Sequence, residues 1–150
     1  MMTSPFVSST PFLINNIEYI ISKGRVIDLA NKDVRLQLFS GINFTNRRIV
    51  FRRGGVAIRD LGAFRFDNIL SSLRLRNVST TDSVTLVLFS RINFQGSVRV
   101  FRGSQSVSNL GSFDNLTSSL ILVGRNLTNS QIQQIQITGI PPRDILVIRQ

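Results

Sequence analysis

"FDNILSSL" occupies residues 66–73 and "FDNLTSSL" occupies residues 113–120. Each is a polar, hydroxyl-rich hexad set between a phenylalanine and a leucine. Each opens onto an apolar or alternating run, "LRLR" at 73–76 and "LILV" at 120–123. A compound signal of this kind, met twice, marks an internal duplication that can be followed outward. Upstream, "LQLFSGINF" (36–44) matches "LVLFSRINF" (86–94), and "VFR" at 50–52 matches "VFR" at 100–102, both at a separation of 50 residues. Leu61-Gly62 matches Leu110-Gly111, and the hexads lie 47 residues apart. The likeness runs over residues 35–125, as one motif at 35–78 and a second at 79–125. Two units are too few for a solenoid, whereas two copies of a supersecondary motif packed face to face make a domain.

Each copy reads as β. Leu36 and Leu38, like Leu86 and Leu88, recur with period two, and Val98 and Val100 alternate with Ser97 and Arg99. No helical period competes within 35–125. Short strands between turn signals indicate an antiparallel sandwich. Phe39 and Phe44 stand five apart, as do Phe89 and Phe94, so each pair can lock a tight corner, worth about 0.5–1.5 kcal/mol beyond burial. Gly96 follows Phe89 by seven residues, where a folded-back hairpin needs positive φ. Its counterpart is Asn46, the next most tolerant residue type. Arg48 stands where the second copy has Val98, a departure expected to shift the facing of its strand locally.

Composition narrows the chemistry. The chain has 150 residues with 42% hydrophobics, enough for one domain with a modest core. It contains no Cys, His or Trp. The usual nucleophile–base pairs and zinc sites therefore cannot be built. The acidic residues are Glu18, Asp28, Asp33, Asp60, Asp67, Asp82, Asp114 and Asp144. Their spacing suggests no paired-carboxylate cleft, and no enzyme is expected. No apolar run is long enough to span a membrane, and the opening residues lack the charged and apolar regions of a signal peptide.

The aromatic-x6-Gly hairpin "FSRINFQG" (89–96), its counterpart "FSGINFTN" (39–46) and the twin hexads "DNILSS" and "DNLTSS" together resemble the βγ-crystallin family, including the family's calcium signature. The resemblance implies an all-β, Greek-key sandwich of two such motifs. It also implies two calcium ions at one end, each clamped by parts of both motifs. Ser71 and the carbonyl of Ile69 would serve one ion, and Ser118 and the carbonyl of Leu116 the other. Asp67 and Asp114 would reach across, with the assignment of each to an ion left open, while Asn68 and Asn115 shape the loops. The residue chemistry agrees, because Ca2+ takes six to eight carboxylate, hydroxyl, carbonyl and water oxygens. The same residues are also ordinary turn-forming chemistry, and on that reading they only tie down the loop backbone. With about one carboxylate per site in a chain of net charge +10, binding is expected to be weak, on the order of tens of micromolar or poorer. By resemblance this is a structural protein of a coat, spore, stress or dormancy setting, cytoplasmic or coat-associated.

Charge is uneven. Residues 35–78 carry nine Arg against two Asp, and "RRIVFRR" (47–53) and "LRLR" concentrate it. One reading is a solvated outward face whose arginine stems cover apolar surface. The other is a basic adaptor or self-assembling subunit holding an anionic polymer or acidic partner, since arginine favours planar, bidentate contacts. Nucleic acid belongs to that second class, although no DNA or RNA fingerprint occurs. Residues 1–34 and 126–150 are expected to add β segments. These are a hairpin around Lys23-Gly24, with a partly flexible start, and strands around Ile135, Ile137 and "ILVI" (145–148). Such segments either pair within the chain or build a homo-oligomer or filament by strand addition.

Overall fold

The computed structural model describes residues 12–14, 17–22, 25–78, 84–143 and 145–148. Three short strands come first, β1 (Phe12–Ile14), β2 (Ile17–Ser22) and β3 (Arg25–Asp28), then one helical turn, α1 (Leu29–Lys32). The first motif contributes β4 (Val34–Gly41), β5 (Thr45–Phe51), β6 (Val56–Ile58) and β7 (Ser72–Asn77). The second contributes β8 (Thr85–Arg91), β9 (Gln95–Arg102), β10 (Gln105–Val107) and β11 (Ser119–Val123). A helix, α2 (Asn129–Thr138), and a strand, β12 (Leu146–Ile148), close the chain.

The two motifs exchange strands. One sheet has the order β10-β7-β4-β5 and the other β12-β6-β11-β8-β9. The third strand of each motif thus leaves its own sheet and pairs with the last strand of the other motif, β6 with β11 and β10 with β7, both antiparallel. This is the Greek-key crossing, and it places each hexad on the connection that returns from the far sheet. The two hairpins keep one register, with Phe39 opposite Arg48 and Phe89 opposite Val98, and both are irregular at the corner. Arg48 therefore does not shift its strand. It occupies the same outward position as Val98 and is exposed.

Burial explains the strand sequences. Leu36, Leu38, Leu73, Leu75, Leu86, Leu88, Leu120 and Leu122 point between the sheets with Phe66 and Leu70, forming the main core. Each such leucine contributes about 1.5–3 kcal/mol of gross burial free energy. In β7 the alternate residues, Arg74 and Arg76, face solvent. In β11 every residue is buried, because its outer residues Ile121 and Val123 join a second cluster with Val87, Phe89, Phe94, Leu127, Ile132 and Ile135. "LRLR" and "LILV" are the same strand in two settings, one sheet solvated on its outer face and the other covered on both.

The cover is α2, which corrects the expectation of a strand around Ile135 and Ile137. Ile132 and Ile135 face the sheet and Ile137 is exposed, so the buried spacing is three residues, not two. Thr128 and Gln131 form a reciprocal capping box, and Gly139 closes the helix at φ 69°. Arginines from the sandwich hold both ends. Arg102 donates to Leu127 O at 2.7 Å and Asn129 Oδ1 at 3.0 Å, and Arg59 donates to Gly139 O at 3.1 Å. β12 adds in parallel to β6, so the apolar end of the chain is taken up within the molecule. β1, β2 and β3 form an antiparallel sheet in which β2 and β3 pair antiparallel; the expected turn residues Lys23 and Gly24, like residues 1–11, lie outside the described residues. Asn31 of α1 is buried, and it ties this segment to both motifs: its carbonyl accepts from Gly54 N at 2.8 Å and its side chain from Gly124 N at 2.7 Å.

Candidate metal centre

The strand exchange brings the two hexads together at one end of the sandwich, where they bond to each other reciprocally. Asn68 N donates to Thr117 O and Asn115 N to Leu70 O, each at 3.0 Å. Ser71 Oγ donates to Asn115 Oδ1 at 3.3 Å, and Ser118 Oγ to Asn68 Oδ1 at 3.1 Å. Both asparagines adopt φ 59°, in the left-handed region. They thus shape the loops as expected, and they also supply the side chains that cross between motifs. Neither Asp67 nor Asp114 hydrogen-bonds to the opposite hexad. Asp67 is exposed and accepts from its neighbour Asn68 Nδ2 at 3.3 Å. Asp114 is half-buried, and its Oδ1 is fully buried without a hydrogen-bond partner among the described residues.

The backbone around each pair is partly committed. The carbonyls of Leu70 and Thr117 are taken by the opposite hexad, and those of Ser71 and Ser118 accept from Leu110 N and Leu61 N. The carbonyls of Ile69 and Leu116 accept no hydrogen bond from any described residue. Each loop therefore holds three carbonyls without a described donor, those of Asp67, Asn68 and Ile69 or of Asp114, Asn115 and Leu116, close in sequence to a serine oxygen that faces an asparagine oxygen of the other motif.

A hard cation fits this donor set. Two oxygens bound to one Ca2+ at about 2.4 Å, on neighbouring positions of its shell, lie about 3–3.4 Å apart, the separation of the serine and asparagine oxygens. The orphaned Asp114 Oδ1 and the buried, unpartnered Thr117 Oγ1 are further oxygens lacking a donor; such burial is costly unless something compensates it. No three of the residue types His, Cys, Asp and Glu cluster among the described residues, so a site here rests on neutral oxygens with few carboxylates.

The last serine of each hexad does different work. Ser72 and Ser119 are completely buried; each donates to the carbonyl of a hairpin corner, Gly41 O or Arg91 O at 2.6 Å, and accepts from Phe44 N or Phe94 N at 3.0 Å. The corners are closed by edge-to-face ring pairs, Phe39–Phe44 at 5.7 Å and Phe89–Phe94 at 5.6 Å. These serines link each candidate loop to its own motif's aromatic corner. The sequence offered only the repeat of a second serine as a sign of this.

Among solved structures, one describing the evolution of the eye-lens βγ-crystallin domain fold matches with a TM-score of 0.50 at 18% identity, covering 61% of this chain and 85% of that one. The chain has the βγ-crystallin fold. A βγ-crystallin from Ciona intestinalis (21% identity, TM-score 0.46, 58% of this chain and 96% of that one) is also similar. So is a double mutant of a βγ-crystallin domain from Clostridium beijerinckii (15%, TM-score 0.49, 60% and 97%). No protein-family profile matches the sequence, and no curated protein does. What the βγ-crystallin matches cover is about three-fifths of the chain; the fold as it stands here also carries the arginine-clamped helix and β12 described above.

Proposed function

We propose that this βγ-crystallin domain is a non-enzymatic structural protein whose hexad loops are bridged and stiffened by Ca2+. The observation that carries the reading is the reciprocal facing of the hexads, serine oxygen to asparagine oxygen, beside unpaired loop carbonyls that include those of Ile69 and Leu116. One ion would take Ser71, the Ile69 carbonyl and oxygens of the second loop, with Asp114 among them. The other would take Ser118, the Leu116 carbonyl and oxygens of the first loop, with Asp67 among them. The cation supplies charge that draws oxygens of both loops into a common shell. The few carboxylates and the net charge of +10 keep affinity low, on the order of tens of micromolar or weaker.

An ion that binds only the folded chain stabilises it by mass action, by about 1.4 kcal/mol at ten times the dissociation constant. A clamp of that kind suits a coat, stress or dormancy setting, where the domain must outlast changing conditions. Calorimetric titration and thermal melts with calcium or chelator test it on the full chain. Heat of binding and a rise in Tm, both reduced by Asp67→Ala or Asp114→Ala, are expected. No heat and no shift at millimolar calcium would overturn the reading.

A further inference from the structure

The two outer sheet faces are related by the internal repeat but differ in chemistry. On the β8–β11 face, the positions equivalent to Arg35, Gln37, Arg74, Arg76 and Arg48 are Thr85, Val87, Ile121, Val123 and Val98, and α2 covers the apolar ones. On the β4–β7 face the arginines remain uncovered. Arg48, Arg52, Arg74 and Arg76 are exposed, and they form no hydrogen bond or ion pair through their guanidinium groups with any described residue. Arg35 anchors the row, its guanidinium donating to Lys32 O, Val34 O and Arg52 O at 2.8, 3.0 and 2.9 Å.

The arrangement costs stability. Arg35 lies directly opposite Arg76 across the β4–β7 ladder, and like charges so placed are destabilising. Among the described residues no carboxylate occupies the outward positions of β4, β5, β7 or β10; Asp33, directly before β4, is the nearest by register. The fold does not need this charge, since the sister sheet is built without it.

We propose that this face binds the phosphate backbone of double-stranded nucleic acid, independently of base sequence. The inference goes beyond the calcium reading and does not depend on it. Charge must hold the partner, because among the described residues the face's outward aliphatic side chains are the half-buried Val50 and, at its edge, the exposed Val78, with no apolar centre of the kind protein interfaces use. Its outward aromatics are Phe39, which is buried, and Phe44, which is half-buried and capped by Arg74 at 4.0 Å; the same guanidinium lies 5.7 Å from the Phe39 ring. With no ring open to stack on unpaired bases, the face suits a duplex rather than a single strand. The exposed guanidinium rows, one on and just after β5 and one on β7 with β4 between them, lie about 9.6 Å apart, with Arg74 and Arg76 about 6.8 Å and Arg48 and Arg52 about 14 Å apart along their strands, and they present several bidentate phosphate donors to one side of a duplex.

The test is fluorescence anisotropy of a random-sequence DNA duplex of about 30 base pairs with the full chain, from about 50 to 200 mM salt. Four phosphate contacts give a log–log slope of about −3.6 and about a hundredfold loss of affinity over that range. Arg48→Ser with Arg76→Ser should make the slope shallower by about two, while Arg91→Ser with Arg143→Ser, the same charge removed elsewhere, leaves it unchanged. Absence of binding at the lowest salt overturns the proposal. Equal losses from both double variants also overturn it, by reducing the effect to net charge. So does poly-glutamate binding as tightly as the duplex with the same sensitivity to Arg48 and Arg76, which would mark an acidic protein as the partner.

Discussion

Asn68 and Asn115 each do two jobs with one side chain. They hold a left-handed backbone at φ 59° and accept the hydroxyl of the opposite serine. Replacing Asn115 by Ala adds a backbone penalty of about 1 kcal/mol and removes a part-buried bond worth about 0.5–1.5 kcal/mol. Urea denaturation should therefore show a loss of about 1.5–2.5 kcal/mol for Asn115→Ala, whereas Asn115→Gly recovers the backbone part. Asp114 should behave in the opposite sense. Its Oδ1 is buried without a donor, so Asp114→Ala in chelator leaves stability unchanged or raises it by up to about 1 kcal/mol. The same variant should lose much of the calcium-dependent rise in Tm, which separates a ligand from a loop-shaping residue. The hexads were readable in the sequence because they recur behind matching hairpins. Which side chains cross between them was not, since aspartate and asparagine are adjacent and both carry oxygen. The hairpin-locking role of Ser72 and Ser119 was equally hidden, because their partners, at the hairpin corners, lie 31 and 28 residues earlier in the chain.

Between elements, the sequence difference that matters most is Arg74-x-Arg76 against Ile121-x-Val123. Period-two reading placed both strands but did not separate β7, solvated on its outer face, from β11, covered on both. It also left open the nature of the cover. Ile135 and Ile137 suggested alternation, but the capping pair Thr128 and Gln131 and the closing Gly139 mark a helix, and of its isoleucines only Ile132 and Ile135 are buried against the sheet. The arginines at its ends lie on other elements, so no local pattern foretold them. Ile121→Arg would bury a guanidinium beneath α2 and should cost at least about 3 kcal/mol in equilibrium unfolding. Arg74→Ile, the reciprocal change on the solvated sheet, should cost far less than that. Arg59→Ala removes a bond to the last turn of α2 and a cation held 5.1 Å above the Phe94 ring; a loss of about 1–2 kcal/mol is expected.

At the scale of the molecule, strand exchange makes the two motifs one cooperative body, and the C-terminal segment completes it. Residues 126–150 bury Leu127, Ile132 and Ile135 against Val87, Phe89, Phe94, Ile121 and Val123. They also add β12 beside β6. Three such side chains contribute about 5–9 kcal/mol of gross burial, from which the ordering of the helix subtracts a large part. A chain ending at Arg125 keeps the main core and both hexads but leaves a continuous apolar sheet face open to water, together with β6 as a new sheet edge. Such a face drives association. The truncated chain should therefore unfold at lower temperature, bind a hydrophobic dye and gain mass with concentration in light scattering. Calcium heat should persist in it at low concentration, because the hexads meet through β6, β7, β10 and β11 alone. A truncated chain that stayed monomeric with an unchanged Tm would show that α2 is an ornament of the sandwich; one that lost calcium response while remaining folded would show that the extension, not the strand exchange, sets the distance between the loops.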